Sequence, residues 1–421
     1  MNLSLHLDVD LVAVESTDSV SLLLELTAPP GDAERQRAPS TLEVVLDRSG
    51  SMHGERLAAA KGALDRLIGR LDARDRLGVV TFDDAVDVVI PAAPVADKHA
   101  LRQRIAAIES GNMTNLSSGY LRGIQEAARA SDGAGATLLL LSDGHANTGV
   151  TDGGALGDIA RRAAGNRIAT STLGIGLDYD EALMSTIARG GSGNALFAEE
   201  PDTAGAMVAG EVDGLLDQVV QAASLLIRPA GEVAGITLFN DLPAQTVPGG
   251  VMIELGDFYA AEQRKLVLTL DVPAMPALGL AQVAGLELSY VELPSLKAHT
   301  VTAPVHVNVV PGDEAAGRIP DPVVRTELAY QRAQESKRRA GEALRRRDVG
   351  EAHTYYSAAA EALSVACAEV PDDLAQELRE EAGVLGNLAE RALHDDARRV
   401  SKHGEMDRAA KSRRRGGRGL R

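Results

Sequence analysis

In Asp47-Arg48-Ser49-Gly50-Ser51, the residue types and their spacing can do chemistry. One carboxylate and two hydroxyls, each two residues from the next, can turn three oxygens toward one point. Hard oxygen donors suit Mg²⁺, which takes near-octahedral ligation at about 2.0–2.1 Å and keeps part of its water. Two other segments offer similar groups: Gly111-Asn112-Met113-Thr114-Asn115-Leu116 and Leu141-Ser142-Asp143-Gly144-His145-Ala146-Asn147-Thr148-Gly149. Singly, each has a plainer use. Asp-x-Ser-Gly-Ser commonly makes a turn and helix cap, and Ser142-Asp143-Gly144 reads as a turn. Thr114 alone says little, and His145 reads as a solvated loop residue rather than part of a site. Together the segments point to a metal-centred recognition site, not a catalytic pocket.

The elements around these segments place them. From residue 40 to 221 short apolar runs alternate with helical periods. Leu42–Leu46, Leu77–Phe82, Val86–Ile90, Thr137–Leu141, Ile168–Ile175 and Ala195–Phe197 read as strands. The unbroken Leu138-Leu139-Leu140-Leu141 fits a central strand covered on both faces. Leu57, Ala60, Leu64, Leu67, Ile68 and Leu71 mark one helix face; Leu121, Ile124 and Ala128 mark a second; Val208, Val212, Leu215 and Val219 mark the last, over 203–221. This pattern predicts a doubly wound, mostly parallel α/β sheet, whose ligands bind beyond the carboxyl ends of the strands. Asp47 and Asp143 each follow a strand. Asp83 and Asp84, after the strand ending at Phe82, read as turn residues.

The remainder falls into outer parts. Residues 1–39 hold two strand-like runs, Leu3–Val12 and Val20–Leu26, and 222–312 hold strands without helices between them. The two stretches are expected to form one antiparallel β-sandwich, with the α/β unit inserted in a loop, since two strands alone are marginal. Residues 313–400 read as three helices, broken near Asp348-Val349-Gly350 and Pro371-Asp372-Asp373. A single faint tetratricopeptide-like hairpin there does not make a solenoid, and a plain helical bundle is expected. Residues 401–421 read as a basic, disordered tail.

Composition narrows the function. A net charge of −17 over 421 residues argues against general or specific nucleic-acid binding. The last 24 residues oppose that sign, with ten Lys or Arg against two acids. Their Arg413-Arg414-Arg415 run is read as a solvated tail rather than a lipid or nucleic-acid contact. Cys367 is the only cysteine, the start lacks a secretory pattern, and no stretch of about 18 apolar residues spans a membrane. A cytoplasmic protein is expected.

The Asp47-x-Ser49-x-Ser51 loop, the distant Thr114 and the more distant Asp143 resemble the von Willebrand factor type A family and its metal-ion-dependent adhesion site. The resemblance covers about 40–221, and Met113 departs from the small residue often found before the threonine. The sandwich and helical segment resemble, more loosely, bacterial cytosolic members. The resemblance implies that Ser49, Ser51 and Thr114 ligate the ion, with Asp47 and Asp143 binding directly or through water. It implies Mg²⁺, with Mn²⁺ or Ca²⁺ as alternatives, and a protein partner whose Asp or Glu fills the last position. It also implies that helix 203–221 shifts to alter affinity. A non-enzymatic, metal-dependent protein–protein interaction module is the leading expectation. The alternatives are a Mg²⁺-dependent phosphohydrolase with Asp47 as nucleophile, or a scaffold whose site is structural. Catalysis is disfavoured because Ser49 stands where a second carboxylate would be needed, and Arg48 is the only evident phosphate clamp.

Overall fold

The computed structural model describes residues 1–31, 37, 39–143, 147–231, 233, 235–412 and 415–416. Its centre is a six-stranded sheet, in the order Val86–Pro94, Arg76–Phe82, Thr41–Asp47, Ala136–Ser142, Ile168–Ile175, Ser192–Ala198. Every neighbouring pair is parallel except Val86–Pro94 with Arg76–Phe82. Leu46 lies opposite Leu141, so Asp47 and Ser142 leave the sheet at the same carboxyl edge. The Ala136–Ser142 strand is buried along its whole length, as its unbroken leucines require.

Helices cover both faces. The helix Glu55–Arg70 buries Leu57, Ala60, Leu64, Leu67 and Ile68 on one face of the sheet. The helix Leu116–Ser131 covers the other; of the expected stripe Leu121, Ile124 and Ala128, only Ile124 packs against that core, and Leu121 and Ala128 are exposed. Leu121 is 40% exposed, while Tyr120, Gly123 and Ala127 are buried. Small residues explain the difference. A Cβ at Gly119 would lie 2.5 Å from the Phe82 ring, and one at Gly123 would lie 2.2 Å from Val45 Cγ2. Two glycines let the helix backbone rest on the sheet beside Leu116, Tyr120 and Ala127, and Leu121 is left facing outward.

The strand-rich outer parts form two sheets around one core that includes Leu22, Leu24, Ile227, Leu268 and Val307. One sheet runs Asn2–Leu7, Asp18–Thr27, Gln263–Val272, Gly235–Leu238. The other runs Ala244–Val247, Gly250–Tyr259, Gln218–Pro229, Gly279–Glu292, Lys297–Val310, Leu11–Ala13. All pairings are antiparallel except Leu11–Ala13 with Lys297–Val310. The expected run Leu3–Val12 is therefore two strands in different sheets. The α/β unit is inserted between Thr27 and Gln218. Its last helix is Pro201–Leu216; a single residue, Asp217, separates it from the sandwich, and Val219 is already in a strand.

A short helix, Gly312–Ala316, and then four longer ones follow, Pro322–Arg345, Val349–Cys367, Asp372–His394 and Ala397–Ser412. The fourth corrects the expectation of disorder from residue 401, at least to 412; residues 413, 414 and 417–421 lie outside the described set. Arg415–Gly416 adds a short bridge to Gln263–Arg264. The basic helix folds because acids elsewhere receive it. Lys402 Nζ lies 2.7 Å from Glu181 and 2.6 Å from the Tyr179 carbonyl. Arg408 pairs with Asp241 at 2.7 Å and Glu405 at 2.5 Å. Lys411 reaches Glu381 at 2.7 Å, and the buried Lys337 pairs with both Glu381 and Asp407. Burial alone would raise the Asp241 carboxyl, but Arg408 and Arg189 hold it well below the usual carboxylate range. Arg408→Met leaves Asp241 its Arg189 but takes from the nearly buried Glu405 its cation, so it is expected to cost about 3–5 kcal/mol in denaturant unfolding.

Among the described residues no helix is long and apolar enough to cross a membrane.

Glu43 is the sheet's costly residue. It is fully buried on the Thr41–Asp47 strand, and neither carboxyl oxygen has a hydrogen-bond partner among the described residues. Burial, then the nearby Glu126, pushes its carboxyl up to about 9. Below the ordinary value of 4.5 both folded and unfolded chains hold the proton. Between 4.5 and about 9 only the unfolded chain releases it, so Glu43 makes stability fall as pH rises through that window. Glu43→Gln should flatten this slope and raise the thermal midpoint at about pH 8, with the gain shrinking toward about pH 4. Melting curves across that range check it.

Candidate metal centre

Three loops meet at the carboxyl edge of the central sheet, and hydrogen bonds tie each to the other two. The first leaves the Thr41–Asp47 strand through Arg48 and Ser49 into a short turn, Gly50–Met52, anchored by the fully buried Met52. It is held to the second loop by backbone bonds, Gly50 N–H to the Asn112 carbonyl at 2.8 Å and Gly111 N–H to the Arg48 carbonyl at 2.6 Å. Asn115 begins the following helix by accepting from the Ser118 N–H at 3.2 Å. The second loop is held to the third at Thr114, whose N–H donates to Asn147 Oδ1 at 3.1 Å. The Thr114 carbonyl in turn accepts from the Asn147 and Thr148 N–H groups, each at 3.3 Å. The third joins the first through side chains: Ser142 Oγ donates to Asp47 Oδ2 at 2.6 Å, and Ser51 Oγ to Asp143 Oδ1 at 2.8 Å.

The two carboxylates, Asp47 and Asp143, are both fully buried. Burial raises Asp47 to about 6, against the hydrogen bonds from Ser142 and Ser49; nearby Asp143 pushes the same way as burial. Asp47 Oδ1 accepts the Ser49 N–H at 2.8 Å and Oδ2 accepts Ser142, so both its oxygens are already engaged. Ser49 Oγ and Ser51 Oγ stand 3.1 Å apart, and Ser51 continues the line to Asp143. The array is therefore a chain of hydroxyl and carboxylate oxygens with two buried negative charges beneath it. Thr114 is buried beside the third loop. Met113, the departure from the family pattern, points outward and is 49% exposed, so it does not crowd the loop.

Sequence reasoning missed Arg56 and left the backing role of Ser142 unassigned. Arg56 Nη1 lies 2.5 Å from Asp143 Oδ2. Nothing in its sequence position signalled this, because it sits on the first turn of a helix where charged residues are ordinarily solvated. Ser142 could have been found from its place next to Asp143. Arg48 turns away to Asp87 at 2.7 Å and Asp83 at 3.3 Å, and Asp83 also accepts the Ala85 N–H of its turn at 2.8 Å. His145, Gly144 and Ala146 lie outside the described residues.

An α/β domain with parallel strands, helices on both faces and oxygen donors at its carboxyl edge defines the class of protein. Residues 42–209 match the family model of the von Willebrand factor type A domain, so the chain contains a domain of that type. The chain is 29% identical over 300 residues to protein sll0103 of Synechocystis sp., a span that covers 67% of this chain and 70% of that one. It is 26% identical to YfbK of Escherichia coli over 49% of this chain, which is only 37% of YfbK. The solved structure of a von Willebrand factor type A protein from Catenulispora acidiphila has a TM-score of 0.71 at 16% identity, over 99% of this chain and 97% of that one. That likeness shows the fold, with sandwich and helical segment included.

Ser142→Ala would leave one oxygen of a buried carboxylate without its side-chain donor. The expected loss is about 1–3 kcal/mol of unfolding free energy, read from denaturant midpoints.

Proposed function

We propose that this protein is a divalent-metal-dependent interaction module that captures an Asp or Glu of a partner protein at the site formed by Asp47, Ser49, Ser51, Thr114 and Asp143. Domains of this family generally act as interaction modules. The observation that carries the reading is the spacing of the oxygens. Adjacent vertices of an octahedron with arms of about 2.1 Å are about 3.0 Å apart. Ser49 to Ser51 is 3.1 Å, and Ser51 to Asp143 is 2.8 Å.

The hydroxyls would ligate the ion directly. Ser51 can donate its proton to Asp143 and still offer a lone pair. Asp47, with both oxygens engaged, would act through water. Among the described residues no group of three or more His, Cys, Asp or Glu suits a metal, so the donors are hard oxygens, mostly neutral. That set favours Mg²⁺, with Mn²⁺ or Ca²⁺ as alternatives, over softer ions. When bound, the ion supplies a positive charge with an open position on an otherwise acidic protein, and this charge attracts a carboxylate. Arg48 is committed to Asp83 and Asp87, which weighs against a phosphohydrolase that needs it as a clamp. With its single Cys367 and no described membrane helix, we place the protein in the cytoplasm.

Calorimetry of the full chain with Mg²⁺ or Mn²⁺ tests the site. Ser49→Ala/Ser51→Ala should weaken binding at least about tenfold, a little over 1 kcal/mol, without altering the circular dichroism. Asp143→Ala should abolish partner capture. Capture that survives excess EDTA sinks the reading.

A further inference from the structure

We propose that Arg56 is a resident counter-cation that competes with the divalent ion for Asp143 and so keeps the site's metal affinity low. The inference rests on the metal-dependent reading above. Asp143 divides its two oxygens between two environments. Oδ1 accepts from Ser51 within the donor array, and Oδ2 holds Arg56 Nη1 at 2.5 Å. A carboxylate with no solvent exposure needs a compensating charge, and Arg56 is that charge when no other cation is near.

The guanidinium is built into place. Its second nitrogen, Nη2, pairs with Asp178 Oδ2 at 2.8 Å, so it is gripped from two loops. It also lies against the backbone of Gly176, where φ is +79° and a Cβ would stand 3.3 Å from three of its atoms. The side chain as a whole is 27% exposed. A dication ligated by Ser49 and Ser51 would sit close to this fixed positive charge. Repulsion between the two acts across a partly buried space, where screening is weak.

Arg56 also has somewhere to go. It borders an open cleft of about 660 Å³ between the metal loops and the turn before the final helix. Asp178, Glu199 and Asp396 line that cleft together with Glu55, His53 and Arg398, so acids outnumber the fixed cation there. A displaced guanidinium would thus keep acidic neighbours while the ion takes over Asp143. Arg56 thereby couples two states: one with Asp143 paired internally, and one with Asp143 facing the ion.

Titration calorimetry with MgCl₂, and separately MnCl₂, on the metal-stripped 421-residue chain tests this without any partner. Arg56→Gln should bind Mg²⁺ at least about tenfold more tightly than the native chain, because one nearby like charge is gone. Its thermal midpoint in EDTA should fall, and saturating Mg²⁺ should raise that midpoint more than it does for the native chain. Equal or weaker binding by a folded Arg56→Gln overturns the proposal and leaves the metal reading standing. Should Arg56→Gln fail to fold, the native chain decides: in a Mg²⁺ titration followed by arginine side-chain NMR the Arg56 guanidinium resonance should shift as Asp143 is taken over, and a resonance unchanged at saturation overturns the proposal. Absence of heat in native and variant chains alike, matching Ser49→Ala/Ser51→Ala, overturns the metal reading and the proposal with it.

Discussion

Two fully buried carboxylates at one sheet edge, Asp47 and Asp143, are the constraint around which the three loops are arranged. Neither can rely on water, so each must be met by donors or by a cation. The loops supply the donors: Ser49 N–H and Ser142 Oγ to Asp47, Ser51 Oγ to Asp143. These bonds fix the loops relative to one another as a by-product of satisfying the charges. Arg56 supplies the cation. The positions of Gly50 and Thr114, which make no bond to either carboxylate among those described, follow from backbone bonds that close the same ring of loops. Parallel pairing of the two central strands puts both carboxylates at one edge. No local feature of either loop could do so.

Compensation of charge also explains the outer architecture. With a net charge of −17, the chain carries acids that need partners, and its basic residues are concentrated at the end. The final helix brings Arg399, Lys402, His403 and Arg408 to Glu199, Glu181 and Asp241. Its contacts reach the α/β unit, the other helices and the sandwich-side loop that bears Asp241, so one helix ties the parts together. Such pairs are poor sources of net stability, because their desolvation offsets their attraction. They are good at specifying one arrangement, since every alternative leaves a buried charge alone.

Much of this was legible in the sequence, for definable reasons. Parallel strands buried on both faces leave unbroken apolar runs, and so Thr137–Leu141 was readable. The three polar segments stood out because each follows or precedes a clear apolar period. The inserted arrangement was readable because strands returned after a helical stretch. What escaped was set by partners distant in the chain. The stripe of Leu116–Ser131 was misread in part because Gly119 and Gly123, not Leu121, meet the sheet. The final helix was misread as disordered because its charges look solvated until Glu181, Glu381 and Asp241 are placed beside them. Arg56 was overlooked for the same reason. Charge runs are ambiguous in one dimension, because whether they repel or pair depends on what faces them.

The inserted topology also bears on how the site could respond to a partner. The last helix of the α/β unit, Pro201–Leu216, packs Val208 and Val212 against the core shared with Glu55–Arg70, the helix that carries Arg56. At its far end only Asp217 separates it from the Gln218–Pro229 strand in the middle of the second sheet. The Asp217 carbonyl accepts the Ala260 N–H at 2.9 Å, which fixes that junction to the neighbouring strand's turn. Sliding this helix along its axis would require the sandwich strand to move with it or the junction to break. Arg56 faces no such barrier, since its release from Asp143 breaks side-chain bonds only and it borders an open cleft. Rearrangement at the three loops therefore costs less through a side chain of the first helix than through displacement of the last one.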